Sequence, residues 1–275
     1  MQHIYNFIFV LAISGLYGQE INCKIIEAES ISGVPFANVG LLKKNLGTVS
    51  DESGRFTLNI AGTNEEDSVR ISCIGYVART VTIGSLKQLS QTENIMLQPI
   101  SYDLEEVVVV PKDYELRRVG NFMDTKNIVA GFMNNNLGHE IGTKIKMRRK
   151  PAYIQKVHIN IARCDFDSIF YRLNIYAMKD KEPGENLLKE PVYIALSKEA
   201  AESGVIVDVS DQYILVDDDF LVSVELVKDL GPKDLFFSAG FFASRAFYRP
   251  TSQSSWEKIP AWIGIAIGVT ILQES

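Results

Sequence analysis

The chain has 275 residues, with 28 Lys+Arg against 34 Asp+Glu, and 46% of its residues are apolar. This composition supports a packed core and excludes wholesale disorder, and the length suits one large domain or two modest ones. A net charge of −6 lacks the basic footprint of a general nucleic-acid binder, so we expect no nucleic-acid partner.

The N-terminus is apolar from Ile4 to Leu16. This stretch is shorter than the ~20 residues that span a bilayer and has the length of a secretory signal. We therefore expect residues 1–18 to be a signal peptide, cut between Gly18 and Gln19. The mature chain would have no transmembrane segment and would reside in the periplasm, at the outer-membrane surface or outside the cell. The alternative is a buried N-terminal strand or helix.

Residues 19–99 show the pattern of short strands separated by turns. Arg55–Ile60 alternates strictly, with Phe56, Leu58 and Ile60 on one face. Turn residues recur between such segments roughly every 8–12 residues, which favours a β-sandwich over βαβ units.

Three segments of this region resemble the carboxypeptidase-regulatory-like domain: Gly33-Val-Pro-Phe-Ala-Asn-Val39, Gly47-Thr-Val-Ser-Asp-Glu-Ser-Gly-Arg-Phe56 and Ile71-Ser-Cys-Ile-Gly-Tyr76. The resemblance extends over residues 21–110 and includes a short strand at Glu105–Val110. It implies a transthyretin-like, seven-stranded β-sandwich that serves as an accessory module rather than a peptidase. In the Bacteroidota, such domains often precede outer-membrane receptors or other envelope modules.

The second half of the chain resembles no family. Residues 100–140 are expected to be a linker with a short strand and an irregular segment, in which Asp113–Val119 would form a helical turn or two. About eight strands follow in 141–275, interrupted by one short helix at Lys198–Ser203. They predict a second β-sandwich of jelly-roll type. The fold class is therefore all-β.

The motifs of common enzymes are missing from the sequence. It has no G-x-S-x-G, no phosphate-binding glycine loop, and no His and Glu at the spacing of a zinc carboxypeptidase. Cys164 near His139 or His158 would form a Cys/His dyad, although a packed or edge residue is the simpler interpretation of His158. We predict a chain that is not an enzyme.

One catalytic alternative stays open. A hydrolase acting on envelope peptide or glycan would need two carboxylates that converge from distant strands, such as Asp165, Asp167 or Glu225. Sequence spacing does not show such convergence.

Two surface segments are candidate binding sites. Arginines and aromatics at Arg245, Tyr248, Arg249 and Trp256 are residues that a sugar- or peptide-binding rim uses, although they also cap cores. Asp217–Asp219 would supply oxygen ligands to Ca²⁺, or form a solvated turn. No other cofactor is expected.

Two further features have structural alternatives. The basic run at 144–150 would contact an anionic glycan, lipid or acidic partner, or be a solvated strand face. Cys23 and Cys73 would form a disulfide in an exported protein, or be buried thiols like Cys164.

Together these features predict an exported, non-catalytic protein of the cell envelope. It would act as a binding, adhesion or assembly module for a glycan, peptide or protein ligand. Its oligomeric state is not predicted.

Overall fold

The computed structural model describes residues 20–92, 94–101, 113–147, 151–241 and 244–275, with only the backbone of Thr92 and Ala261. Strands make up 52% of the structure and helices 8%, in several sheets that form a sandwich-like arrangement, so the predicted all-β class is confirmed. The predicted signal peptide and the strand at Glu105–Val110 lie outside the described residues.

The first domain contains seven strands and one helix. The strands are β1 (Glu20–Glu27), β2 (Asn38–Leu41), β3 (Gly47–Val49), β4 (Arg55–Asn59), β5 (Ser68–Ser72), β6 (Arg79–Thr82) and β7 (Ile95–Leu97), and the helix is α1 (Ile83–Thr92). They form a three-stranded sheet in the order β4-β1-β7 and a four-stranded sheet in the order β3-β2-β5-β6. The predicted seven-stranded sandwich is therefore confirmed.

No sequence pattern predicted helix α1. Ile83 and Leu86 are fully buried against the core of this domain. Their spacing of three residues places both on one face of the helix. Two apolar anchors give too weak a periodicity to separate a short helix from a strand and a turn.

The second domain contains sixteen strands and a second short helix within the described residues. The strands are β8 (Tyr114–Gly120), β9 (Val129–Phe132), β10 (Glu140–Ile145), β11 (Ala152–Ile159), β12 (Ile161–Cys164), β13 (Ser168–Lys179), β14 (Glu182–Asn186), β15 (Val192–Ser197), β16 (Val205–Asp208), β17 (Leu215–Val216), β18 (Phe220–Leu226), β19 (Leu235–Phe241), β20 (Ala246–Arg249), β21 (Glu257–Lys258), β22 (Ile263–Ile265) and β23 (Ile267–Glu274). The helix is α2 (Lys198–Glu202), close to its predicted position. Short 3-10 turns occur at Ser210–Gln212 and Pro260–Trp262.

These strands form three antiparallel sheets around one core. The largest has seven strands, in the order β14-β13-β18-β10-β20-β21 with β15 also paired to β13. A five-stranded sheet (β16-β11-β23-β8, with β17 on β11) and a four-stranded sheet (β12-β19-β22, with β9 on β19) complete the domain. The main apolar core draws on all three sheets. None of the helices in the described part of the chain is both long and apolar enough to cross a membrane.

The segment at 100–140 differs from the predicted linker. Asp113–Val119 was predicted as helical turns, but strand β8 occupies this segment and pairs with β23 over its whole length, with Leu116 opposite Leu272. Strand β9 pairs with β19. The helical prediction is therefore wrong, because pairing with a distant strand overrides a weak local pattern.

The two domains pack closely through one loop of the second domain. Ser252 lies against Gly40 and Gly47 of the first domain and against Gly138 of its own domain. Thr251 donates a hydrogen bond to the carbonyl of Leu137 at 2.7 Å. Such close backbone approach requires residues without a Cβ.

An aromatic cluster adds an apolar part to this contact. The ring of Phe36 lies 5.1 Å from that of Phe170 and 5.3 Å from that of Tyr193. Val49 of the first domain and Val227 of the second are buried in the same cluster. The domains therefore share both polar and apolar contacts.

Replacing Gly40 with alanine tests the domain contact. The new Cβ would lie 2.1 Å from the carbonyl oxygen of Ser252, so the loop must shift. We expect Gly40→Ala to lower the free energy of unfolding by urea by about 1–3 kcal/mol. In the control Gly184→Ala, the nearest atom is 3.4 Å away, and stability should be unchanged or slightly higher. Equal stability of the two variants would contradict the close packing.

Candidate functional site

A row of four charged residues crosses the seven-stranded sheet. Arg172 on β13 is opposite Glu225 on β18, Glu225 is opposite Glu140 on β10, and Glu140 is opposite Arg249 on β20. The signs run plus, minus, minus, plus across four neighbouring strands. Both carboxylates are fully buried, and the two arginines are nearly so.

Strand alternation explains how this row arises. Tyr171, Leu173 and Ile175 of β13 point into the core of the second domain. Because side chains of a strand alternate between faces, Arg172 lies on the opposite face of the sheet. That face is covered by the first domain.

Arg172 joins the two domains. Its Nη1 donates to the carbonyl oxygen of Phe36 at 2.6 Å, and its Nη2 donates to Oδ1 of Asn38 at 2.7 Å. Its Nε and Nη2 donate to Oε2 of Glu225 at 3.1 Å and 2.7 Å. A single guanidinium therefore binds the first domain and neutralises a buried carboxylate of the second.

At the far end of the row, Arg249 neutralises the other carboxylate, Glu140. Its Nε donates to Oε2 of Glu140 at 2.7 Å, and its Nη2 lies 2.5 Å from the same oxygen. Nη2 also donates to the hydroxyl of Tyr176 at 3.1 Å. The guanidinium carbon lies 4.9 Å from the ring centre of Trp256, a cation–π contact.

Asn174 separates the two carboxylates. Its Nδ2 donates at 2.8 Å to Oε1 of Glu140 and at 2.8 Å to Oε2 of Glu225, so the two oxygens lie within twice that distance of each other. Ser223 donates a further hydrogen bond to Glu140. One side-chain amide therefore donates hydrogen bonds to both carboxylates.

The surroundings shift the pKa values of the two carboxylates in opposite directions. Burial raises the pKa of Glu140, and the attraction of Arg249 only partly offsets it. Burial also acts to raise the pKa of Glu225, but Arg172 and Arg249 outweigh this and hold that pKa below its usual range. Next to Glu140, burial lowers the pKa of His139 to about 4. The proton of the pair therefore favours Glu140 over Glu225.

This network forms one side of a cleft of about 250 Å³ between the domains. The second domain lines it with Arg172, Asn174, Tyr176, Gly184, Glu185, Asn186, Leu188, Arg249, Gln253 and Trp256. The first domain lines it with Asn38, Arg70, Ser72, Cys73, Ile74, Gly75, Tyr76, Ala78 and Ile100. Neither Glu140 nor Glu225 is among the lining residues.

Two of the four predicted rim residues lie in this cleft. Arg249 and Trp256 meet there, and the indole of Trp256 also packs edge-on against Tyr176 at 5.5 Å. Tyr248 donates a hydrogen bond to Glu257 at 2.6 Å, and Arg245 stacks on Trp262 at 3.9 Å. Tyr248 and Arg249 are neighbours on β20, so alternation sends their side chains to opposite faces.

The predicted Ca²⁺ site at Asp217, Asp218 and Asp219 is not formed. Asp219 makes an ion pair with Lys144 at 2.6 Å and accepts a hydrogen bond from the backbone of Met147 at 2.9 Å. In the part of the chain that the structure describes, no group of three or more His, Cys, Asp or Glu side chains is placed to hold a metal ion. The acidic run therefore forms a turn in which Asp219 has its partners within the chain.

The basic run is only partly described. Lys144 is the partner of Asp219, and Lys146 is exposed just after β10. Residues 148–150 lie outside the described residues.

The predicted Cys23–Cys73 disulfide is also absent, since the structure contains both residues as thiols. Cys23 lies on β1, whereas Cys73 follows β5 in the other sheet with its Sγ 3.9 Å from the carbonyl of Pro35. Burial raises the pKa of the Cys73 thiol. Both residues pack against the core of the first domain, which is the alternative that the sequence left open.

The other catalytic candidates are dispersed. Asp165 pairs with Arg163 at 3.1 Å, and Asp167 pairs with Lys233 at 3.4 Å. Cys164 donates to the carbonyl of Phe166 at 3.4 Å. The two histidines have separate partners: the ring of His139 packs on Phe132, and His158 bonds Thr270. Among the carboxylates named from sequence, only Glu225 belongs to the buried pair.

Sequence reasoning missed Arg172, Asn174 and Glu140. Arg172 and Asn174 are polar residues at alternate positions of β13, which is otherwise largely apolar, and such residues are rarely buried against an apolar core. That pattern marks a face covered by a polar partner. Glu140 begins β10, a strand of mixed polarity that gives no comparable signal. The pairing register, which brings the four charges into one row, is not encoded locally.

Removing Arg172 tests the network. Arg172→Met leaves Glu225 as an uncompensated buried charge, so we expect the free energy of unfolding by urea to fall by about 3–5 kcal/mol. The control Arg163→Met removes an arginine that is 55% exposed and should change stability by less than about 1 kcal/mol.

The double variant Arg172→Met/Glu225→Leu distinguishes the effect of the unpaired charge on the free energy of unfolding from the effect of lost packing. It should recover part of the stability, because the unpaired carboxylate is gone. A double variant as unstable as the sum of both single changes would show that the pair is not an electrostatic unit.

Residues 21–109 match the model of the CarboxypepD_reg-like domain family. No curated protein matches the chain.

Among solved structures, the chain is similar to the VP2 subviral particle of infectious bursal disease virus, at 9% identity and a TM-score of 0.23. A structure of the Gt strain of that virus gives 8% identity and a TM-score of 0.23. Both alignments cover 93% of this chain and 64% of the viral chain. Likeness at this score carries no argument about fold or function.

The family match agrees with the seven-stranded sandwich described above and with the motifs around Phe36, Phe56 and Tyr76. Residues 21–109 therefore form a CarboxypepD_reg-like domain, a member of a family of non-catalytic β-sandwich modules.

Proposed function

We propose that this chain is an exported, non-catalytic module of the cell envelope that binds a glycan or peptide group in the interdomain cleft. The observation that carries this proposal is the cleft itself. Its walls come from both domains, and the row of buried charges supports one side of it.

The cleft is prearranged for a polar ligand. Arg172 and Arg249 are held by several hydrogen bonds each, so their positions need not be fixed when a ligand binds. Less conformational freedom is then lost on binding. Trp256 is half-buried at the cleft beside these groups, and an aromatic wall with a few convergent polar groups is typical of ligand sites.

A hydrolase is the second candidate, and the carboxylate pair is what favours it. Two carboxylates that share an amide and have pKa values shifted apart match the arrangement of an acid and a nucleophile in glycoside hydrolysis. However, such groups must contact the substrate, and Glu140 and Glu225 are fully buried outside the cleft lining. This burial supports binding over catalysis.

Export predicts a defined mature chain. Expressed in a Gram-negative host, the protein should be recovered from the periplasm with Gln19 as its first residue, because the apolar stretch before Gly18 has signal-peptide length. Intact-mass measurement checks this. Recovery of the chain from the cytoplasm with residues 1–18 retained would contradict export.

Ligand binding predicts a rise in the thermal unfolding midpoint. We would measure it for the purified protein with single sugars, N-acetylated amino acids and Ca²⁺. A ligand at a hundred times its Kd should stabilise the folded state by about 2.7 kcal/mol, which corresponds to a shift of roughly 5–10 °C.

The two tryptophans provide a matched pair of variants. Trp256→Ala should abolish the shift, measured from that variant's own ligand-free midpoint. Trp262→Ala should keep it, because Trp262 is 56% exposed and packs with Arg245 outside the cleft. An equal shift in both variants would place binding elsewhere and contradict the proposal.

A further inference from the structure

The cleft contains two cationic groups that the protein itself leaves available. The Nε and Nη2 atoms of Arg249 are used by Glu140 and Tyr176, whereas Nη1 has no acceptor among the described residues. Arg70 on β5 is exposed and lines the same cleft, and no described acidic side chain forms an ion pair with it. An anionic group in the cleft would find two donors.

A carboxylate is an anion that Arg249 can bind through one nitrogen. Nη1 can donate a charge-assisted hydrogen bond to one carboxylate oxygen, which leaves the second oxygen for Arg70. A carboxylate on Nη1 of Arg249 leaves the bonds from Nε and Nη2 to Glu140 intact. Binding therefore does not expose a buried charge.

The remaining lining residues fit the hydroxyl groups of a sugar. Glu185 is exposed at the cleft and can accept hydrogen bonds from hydroxyls. Trp256 and Tyr76 supply aromatic surface on the second and first domain. A peptide group would offer amide N–H donors and no set of hydroxyls to this acidic side chain.

The volume of the cleft matches a single sugar residue. Its volume of about 250 Å³ is below the range of roughly 300–1,000 Å³ for pockets that hold drug-sized molecules. A single ring fits this volume, whereas an oligosaccharide would extend beyond the cleft.

We propose that the interdomain cleft binds a sugar residue that carries a carboxylate, as a hexuronic acid does. The carboxylate contacts Arg249 and Arg70, and the ring hydroxyls contact Glu185. This inference rests on the proposed binding function and names the ligand class.

Calorimetric titration with D-glucuronate and D-glucose tests it, because the two sugars differ at C6 in having a carboxylate or a hydroxymethyl group. We expect glucuronate to bind at least tenfold more tightly. Arg70→Gln should lower glucuronate affinity by about tenfold, the effect of one lost charge-assisted hydrogen bond, and should leave glucose unaffected. Arg117→Gln, which removes an exposed arginine on β8, should behave as the wild type.

The outcomes separate this inference from the binding function. Equal affinity for both sugars, or an Arg70→Gln variant that binds glucuronate normally, would overturn the carboxylate contact while leaving the cleft as a binding site. Tighter binding of N-acetylglycine than of glucuronate would overturn the sugar in favour of a peptide carboxylate. No binding by any of the three probes would overturn the inference, and the thermal panel would then decide the binding function separately.

Discussion

Two carboxylates sit opposite each other on neighbouring strands, and neither is in contact with water. Like charges in a cross-strand pair repel, and removing an ionised carboxylate from water costs several kcal/mol. Glu140 and Glu225 are tolerated because each has its own arginine at the outer side and Asn174 bridges the gap. This arrangement of charges forms only if β13 lies beside β18 and β20 lies beside β10. The strand order of the large sheet and its charges therefore depend on each other.

The burial of these charges depends in turn on the first domain. They lie on the face of the sheet that points away from the core of the second domain, so a cover is needed. Phe36 and Asn38 of the first domain supply this cover. The carbonyl oxygen of Phe36 and the side-chain oxygen of Asn38 accept hydrogen bonds from Arg172. The same two residues belong to the segment by which the regulatory-like domain is identified in sequence. In this protein, a segment that marks the fold of one domain also satisfies a buried charge of the other.

The sequence predicts much of the fold and two of the residues that line the cleft. Strict alternation in Arg55–Ile60 predicts β4, in which buried and exposed residues alternate. The apolar residues of Phe220–Leu226 predict β18, in which every residue is buried. Local patterns do not predict β8, because that strand depends on pairing with the distant β23. They do not predict α1 either, because that helix depends on packing against the core of the first domain. Arg249 and Trp256 were found by residue type alone. Arg172, Asn174 and Glu140 were not, because their significance lies in a register that joins strands far apart in the chain.

The energetics of the buried pair favour the proposed binding function over the hydrolase alternative. To act on a substrate, Glu140 would have to lose Arg249, which leaves a buried carboxylate unpaired at a cost of about 3–5 kcal/mol. A ligand on Nη1 of Arg249 avoids this cost, since the bonds from Nε and Nη2 to Glu140 stay in place. The hydrogen bonds of Glu140 point the same way, because its oxygens accept from Ser223, Asn174 and Arg249 and it is not among the residues that line the cleft. The buried pair thus fixes the positions of Arg172 and Arg249, which line the cleft, and does not itself line it.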